Sequence, residues 1–143
     1  MGLSSGPLLE DARYDEWVQE DRLVYEDRTV RAHLDLALDW LVEGERSTCL
    51  RHADLALARD RYSEEAYRLV MLANHGLGRH DAARSALCRL KAILDRDLGV
   101  GCAPETERMA SAISSRTPES DIVRAFYPTA VSRLAGAGIL DVA

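Results

Sequence analysis

Histidine and cysteine, the residue types that most often bind metals, are present in this 143-residue chain. His75 and His80 flank a predicted turn, and Cys88 follows about two helical turns later. A zinc site needs converging ligands, and the chain contains no C-x-x-C pair that would hold one side of such a site. We therefore predict no metal and no cofactor.

Catalytic motifs are also missing. The chain has no G-x-S-x-G nucleophile turn, no H-E-x-x-H pair and no phosphate-binding loop of the G-x-x-x-x-G-K type. Gly76 and Gly78 form a fragment of a dinucleotide-binding fingerprint, but no strand is predicted before them. They indicate a turn between two helices instead, and the sequence predicts a protein that is not an enzyme.

The thiols offer one further candidate for chemistry. Cys49 and Cys88 lie at helical positions near the apolar face, where cysteine usually acts as a small buried hydrophobe. Cys102 lies in a predicted loop and is the candidate for an exposed, reactive thiol. An odd cysteine count without C-x-x-C spacing favours reduced thiols in a cytoplasmic protein.

The charge distribution excludes other classes of protein. The net charge is −6, and residues 1–27 carry eight acidic side chains against two arginines, so the rest of the chain is balanced. An acidic front and no net positive charge elsewhere argue against direct DNA binding by this chain alone. No secretory signal is visible at the first residues, and no apolar run is long enough to span a membrane.

Helical patterning runs almost without interruption from residue 14. Leu and Ala together supply 40 of the 143 residues, whereas β-branched and aromatic residues are few, which favours an all-α fold. Apolar spacing, caps and glycine stops predict helices at 17–43 or 21–43, 46–59, 63–77, 80–98 and 104–114. A linker at 114–120, a short helix at 118–126, a break at Pro128 and a weak tail complete the prediction.

Two of the predicted helix turns repeat at a fixed distance. Gly44 and Gly78 lie 34 residues apart, which is the period of tetratricopeptide helix pairs. One helix pair cannot bury its own apolar stripe, so such pairs stack and leave a concave groove lined by the first helix of each pair. The sequence thus predicts a tetratricopeptide-like stack of antiparallel helix pairs.

The repeat places one set of side chains in that groove. It comprises apolar residues edged by cationic ones: Arg31, Leu34, Leu38, Arg68, Leu72 and His75. Such a strip suits a partner peptide with an acidic group. A solvated groove, or one filled by the chain's own segment 122–134, explains the same residues equally well.

Two other features have a structural and a functional interpretation. A basic cluster on the predicted outer face of the fourth helix is either a solvated surface or a patch for an anionic ligand or partner: Arg79, His80, Arg84, Arg89 and Lys91. Trp17 and Trp40 are expected to pack against the helices, with a partner-facing anchor as the alternative.

Several motifs together resemble a known family. They are Ser63-Glu-Glu-Ala-Tyr-Arg-Leu-Val-Met71, Gly78-Arg-His-Asp-Ala82, Leu98-Gly-Val100 and Pro104-Glu-Thr106, preceded by Glu16-Trp17-Val18 and Glu43-Gly44-Glu45-Arg46. Over roughly residues 8–113 the chain resembles the bacterial transcriptional activator domain of streptomycete antibiotic regulatory proteins. It departs from that pattern at Gly101-Cys102-Ala103, where the family usually has Glu-Pro-Ser.

The resemblance carries the functional expectation. It implies a non-catalytic regulatory domain at 14–114, between an N-terminal segment at 1–13 and a linker and helical tail at 115–143. Such a domain would contact RNA polymerase subunits or pair with a second copy of itself as a homodimer, while a separate winged helix reads DNA. The alternative is a sensor domain that binds a small anionic effector and shifts the state of a transcriptional regulator.

Overall fold

A computed structural model describes residues 5–136, and its side chains are described from residue 24 onward. This part of the chain is helical and contains no strand. Its elements are α1 (Ser5–Val42), α2 (Arg46–Arg59), α3 (Glu64–Gly76), α4 (His80–Ile93), a π-helical turn (Leu94–Leu98), α5 (Pro104–Ser114), α6 (Glu119–Phe126) and α7 (Pro128–Gly136). None of these helices is long and apolar enough to cross a membrane.

The predicted helices are present, with two differences at their ends. Helices α2 and α5 have the expected bounds, and the Ser63 hydroxyl caps α3 by accepting the backbone N–H of Ala66 at 3.2 Å. Helix α1 begins at Ser5 rather than at residue 17 or 21, because no glycine or proline interrupts residues 8–43. The last turn of the predicted fourth helix widens into a π-helical turn before Gly99 ends it at φ +65°.

The expected break at Pro128 is instead the start of a helix. Tyr127 is the single non-helical residue between α6 and α7, and Pro128 occupies the first position of α7. Proline suits that position because the missing N–H has no partner there and its φ is already helical. The predicted tail beyond residue 136 lies outside the described residues.

The turns between paired helices share one hydrogen-bonded pattern. Gly44 and Gly78 both have left-handed backbones, with φ of +88° and +77°. In the first turn the N–H of Gly44 donates to the carbonyl of Leu41 and that of Glu45 to the carbonyl of Trp40. The second turn repeats both bonds 34 residues later. This is the Schellman termination, and it confirms the repeat predicted from the two glycines.

A third helix pair follows the same pattern without a glycine. The N–H of Arg116 donates to Ile113 and that of Thr117 to Ala112, and Arg116 takes the left-handed position at φ +61°. Thus α1/α2, α3/α4 and α5/α6 are three successive pairs. The sequence showed only two of them because the third turn carries arginine where the others carry glycine.

Helix α3 is the centre of the molecule. It packs against α1, α2, α4, α5 and α6, and its residues from 69 to 75 are all buried. A helix surrounded on every side needs apolar residues around its whole circumference, which the sequence Leu69-Val-Met-Leu-Ala73 supplies. The largest fully buried side chains of the core lie on this helix and its neighbours: Leu41, Leu69, Met71, Leu72, Leu90, Met109 and Ile122.

The two C-terminal helices close the stack on one side. Helix α6 packs against α3 and α5, and α7 packs against α1 and α6. Ile122 and Val123 of α6 belong to the main core. Helices α6 and α7 thus pack against α3 and α1, two of the first helices that the repeat places along the groove.

Candidate functional site

The chain's own C-terminal helices pack against two helices of the predicted groove, since α6 contacts α3 and α7 contacts α1. Leu34 and Leu72 are buried in the core, and Leu38 is partly buried against it. A partner site in the groove stays a prediction.

The cationic residues predicted at the edge of the groove each have a partner within the chain. Arg31 pairs with Glu65 through two hydrogen bonds of 3.1 and 2.6 Å, and it also contacts Asp35 at 3.1 Å. Arg31 and Glu65 occupy equivalent positions, 34 residues apart, on neighbouring first helices. The pair is solvent-exposed and so contributes little stability, but it links the first two repeats at a fixed register.

His75 binds the turn that leads into α6. Its Nε2 lies 2.7 Å from the carbonyl oxygen of Thr117, which can only accept, so Nε2 carries the proton in this contact. The Nδ1 of His75 is buried without a partner among the described residues. This histidine therefore fixes the third turn against α3.

The two most distinctive family motifs meet in one buried network. The hydroxyl of Thr106 is fully buried, donates to Glu64 Oε1 at 2.7 Å and accepts from the guanidinium of Arg68 at 2.9 Å. The same Glu64 oxygen accepts the backbone N–H of Ala103 at 3.0 Å. Glu64 and Arg68 belong to the motif that begins α3, and Thr106 to the motif that begins α5. Their joint occurrence thus has a structural cause: together they join the second and third helix pairs.

This network makes Thr106 a sensitive position. Thr106→Val keeps the shape but leaves Glu64 and Arg68 without their shared partner, so we expect it to lower the free energy of unfolding by ~1–3 kcal/mol. Thr106→Ser keeps the hydroxyl and should cost clearly less. Urea unfolding followed by circular dichroism compares the two variants. A larger loss for serine than for valine would show that the methyl group, not the hydroxyl, matters at this site.

An ion pair that lies directly against Gly76 joins α6 to α2. Arg46, at the start of α2, donates two hydrogen bonds of 2.7 Å to the carboxylate of Glu119 at the start of α6. Both side chains occupy the space where a Cβ of Gly76 would lie. Helix α7 has a second tether, because Arg133 pairs with Asp39 of α1.

The three thiols differ in their surroundings. Cys49 is fully buried as predicted, and burial, with a further contribution from Glu119, raises its pKa to about 12. The prediction for Cys88 was wrong: it lies on the exposed side of α4. Cys102 is partly buried rather than exposed, and burial together with nearby Glu64 raises its pKa. The raised pKa of Cys102 argues against a reactive thiolate.

The predicted basic cluster does not form a single outer face. His80 and Arg84 line a cavity between α4 and α5, whereas Arg89 is exposed and Lys91 lies 3.4 Å from Glu107 of α5. Among the described residues no group of three or more His, Cys, Asp or Glu side chains could hold a metal ion.

The outer side of α1 carries an apolar surface that the sequence analysis did not single out. Tyr25, Leu36 and Trp40 are 65%, 44% and 37% exposed. Together with the exposed Ala32 they follow one another at intervals of seven, four and four residues, on the side of α1 opposite the core stripe that contains Leu34. We name this surface the α1 outer face. Spacing was the available signal, but the sequence analysis assigned α1 only one apolar stripe.

Stacked helix pairs with repeated Schellman turns define a tetratricopeptide-like domain. More specifically, the chain belongs to the bacterial transcriptional activator domain family, whose model matches residues 1–114. This is a family of regulatory transcription-activator domains. No curated protein and no solved structure gives a significant match to the chain.

Proposed function

We propose that this chain is the protein-interaction domain of a transcriptional activator, which self-associates or contacts RNA polymerase subunits while a separate domain reads DNA. The observation that carries the proposal is the α1 outer face. Membership of the activator family supplies the regulatory context, and the exposed apolar side chains on α1 supply a surface for a protein partner.

The position of this face in the stack supports an interaction. Helical repeat proteins need a polar outer side on their terminal repeats, because an apolar one would be open for further stacking. Here the first helix of the first pair instead presents Tyr25, Leu36 and Trp40. Tyrosine and tryptophan are the residue types most enriched where a few side chains dominate binding energy. The α1 outer face is therefore where we expect the partner to bind.

Two leucines allow a matched test of this proposal. Leu36 on the α1 outer face and Leu55 on α2 are 44% and 43% exposed, so a glutamate at either position meets a similar solvent environment. We expect Leu36→Glu to weaken self-association or polymerase binding at least tenfold, or ~1.4 kcal/mol, and Leu55→Glu to leave both nearly unchanged. Sedimentation equilibrium measures self-association, and biolayer interferometry with purified RNA polymerase measures the second partner.

The results for these two variants distinguish the α1 outer face from α2 as the binding surface. Loss of binding with Leu55→Glu alone would move the contact to α2, away from the α1 outer face. A wild-type chain that stays monomeric and does not bind RNA polymerase would overturn the proposed function. The predicted groove is tested alongside with Arg68→Ala and His75→Ala: weaker binding for these two variants, with Leu36→Glu unaffected, would place the partner in the groove instead.

A further inference from the structure

A cavity of about 130 Å³ lies between α4 and α5, beside the turn that joins α5 to α6. Its apolar lining residues are Met71, Ala83, Leu87, Ala110 and Ile113, and Ser114 lies among its polar ones. Helix α5 packs mainly on α3 rather than on α4, which leaves this space between the second and third pairs. An apolar cavity of ~150 Å³ is large enough to hold a benzene ring, so this one accommodates a group of about that size.

The mouth of the cavity is cationic. His80, Arg84 and Arg116 line it, and His80 and Arg116 also line an adjoining open cleft beside Arg46 and Glu119. Arg84 is paired with Asp81 at 3.0 Å, and Arg46 with Glu119. Arg116 has no ion-pair partner among the described residues, so its guanidinium provides an unneutralised positive charge at the mouth.

The same positive charges also affect the pKa of His80. Partial burial is the main cause that lowers the pKa of His80, and the charges of Arg116 and His75 lower it further. His75 lies close by, with ring centroids 5.5 Å apart. Asp81 opposes this effect and Arg84 adds to it.

Arg116 is also strained in a way that its two counterparts are not. It occupies the left-handed position of the third Schellman turn, which glycine fills in the first two. A side chain at positive φ carries a steric cost that glycine avoids. Backbone strain of this kind clusters at binding and active sites, where the side chain has a use that glycine could not serve.

We propose that this cavity binds a small carboxylate bearing one apolar group about the size of a benzene ring. The apolar group occupies the space between α4 and α5, and the Arg116 guanidinium binds the carboxylate at the mouth with two parallel hydrogen bonds, the geometry that arginine favours. This inference goes beyond the proposed function and does not depend on it, because the α1 outer face lies on the first helix pair and the cavity between the second and third.

Benzoate is the probe, and benzamide, which has the same shape without the charge, is its control. For a ligand of this size we expect a benzoate Kd on the order of 1 mM by isothermal titration calorimetry, and at least tenfold weaker binding of benzamide. Ala110→Leu fills the cavity and should abolish benzoate binding while leaving the charges at its mouth in place.

Arg116→Gly distinguishes an effect on ligand binding from an effect on folding, because we expect it to weaken binding and to increase stability. Relief of the strained turn should raise Tm, whereas loss of the guanidinium should weaken benzoate binding at least tenfold. Arg116→Gln provides a second variant that keeps a long polar side chain and should also bind weakly. Arg89→Gln, on the exposed side of α4, is the matched control and should change neither Tm nor affinity.

Three results would overturn the proposal: equal binding of benzoate and benzamide, unchanged benzoate affinity in both Arg116 variants, or no binding by the wild-type chain at up to ~10 mM, about tenfold above the expected Kd. None of them would affect the test at the α1 outer face.

Discussion

Replacing Leu90 with alanine should lower the free energy of unfolding by about 2–5 kcal/mol, the usual cost of removing a fully buried leucine side chain. Leu90 lies on the inner side of α4 and is completely buried. Its removal leaves a cavity in the core of α4, the helix that pairs with α3 at the centre of the molecule. For a domain of this size the loss corresponds to a fall in Tm of roughly 5–15 °C. Thermal unfolding followed by circular dichroism at the helical minimum measures it.

The neighbouring residue is the control. Arg89 is exposed on the same helix and forms no ion pair within residues 24–136, so Arg89→Ala should change stability by less than ~0.5 kcal/mol. The two substitutions are adjacent and both leave a good helix former, so helix propensity does not separate them. Similar Tm values for the two variants would mean that the apolar side of α4 does not face α3.

The repeat could be predicted because it depends on short-range chemistry. A left-handed turn selects glycine, and Gly44 and Gly78 mark the ends of α1 and α3 at the spacing of one helix pair. The Ser63 cap and Pro104 at the start of α5 are local signals of the same kind. Each of these residues acts on backbone atoms within a few positions of itself, so the sequence alone reveals it.

The third helix pair could not be predicted from the sequence, because its turn does not carry a glycine at the left-handed position. Arg116 takes the position of the two glycines, and hydrogen bonds of the turn, supported by His75 and Thr117, hold it there. Propensity predicts a linker at this point, and tertiary contacts override it. The same reasoning applies to Cys88: a cysteine near the apolar side of a helix suits burial, but α5 leaves that part of α4 exposed.

Long-range contacts determine the candidate sites, and the sequence could not show them. Thr106 reaches Glu64 across 42 positions, and Arg46 reaches Glu119 across 73. The packing of α6 on α3 and of α7 on α1 is a long-range feature of the same kind. The sequence correctly placed apolar and cationic residues on the first helices, but it could not decide what packs against them.

Among the glycines from residue 24 to 136, Gly76 is the one where an added Cβ would meet other atoms, so we expect Gly76→Ala to be disruptive. Gly76 ends α3 at an ordinary helical backbone, so alanine would normally stabilise that position by ~1 kcal/mol. Here the added Cβ would overlap the carboxylate of Glu119 and the guanidinium of Arg46. These atoms belong to the ends of two side chains, so alanine displaces them and separates the ion pair that joins α2 to α6.

We expect a net loss of about 2–3 kcal/mol for Gly76→Ala, because the overlap and the loss of a partly buried ion pair outweigh the gain in helix propensity. Gly101→Ala is the matched control, since a Cβ there meets open space, and it should be nearly neutral. Urea unfolding of Gly76→Ala, Glu119→Ala and the double variant completes a double-mutant cycle. If the ion pair causes the loss, the alanine at position 76 costs much less once Glu119 is absent. An unchanged cost in the Glu119→Ala background would assign the effect to α3 itself and leave α6 without its proposed anchor.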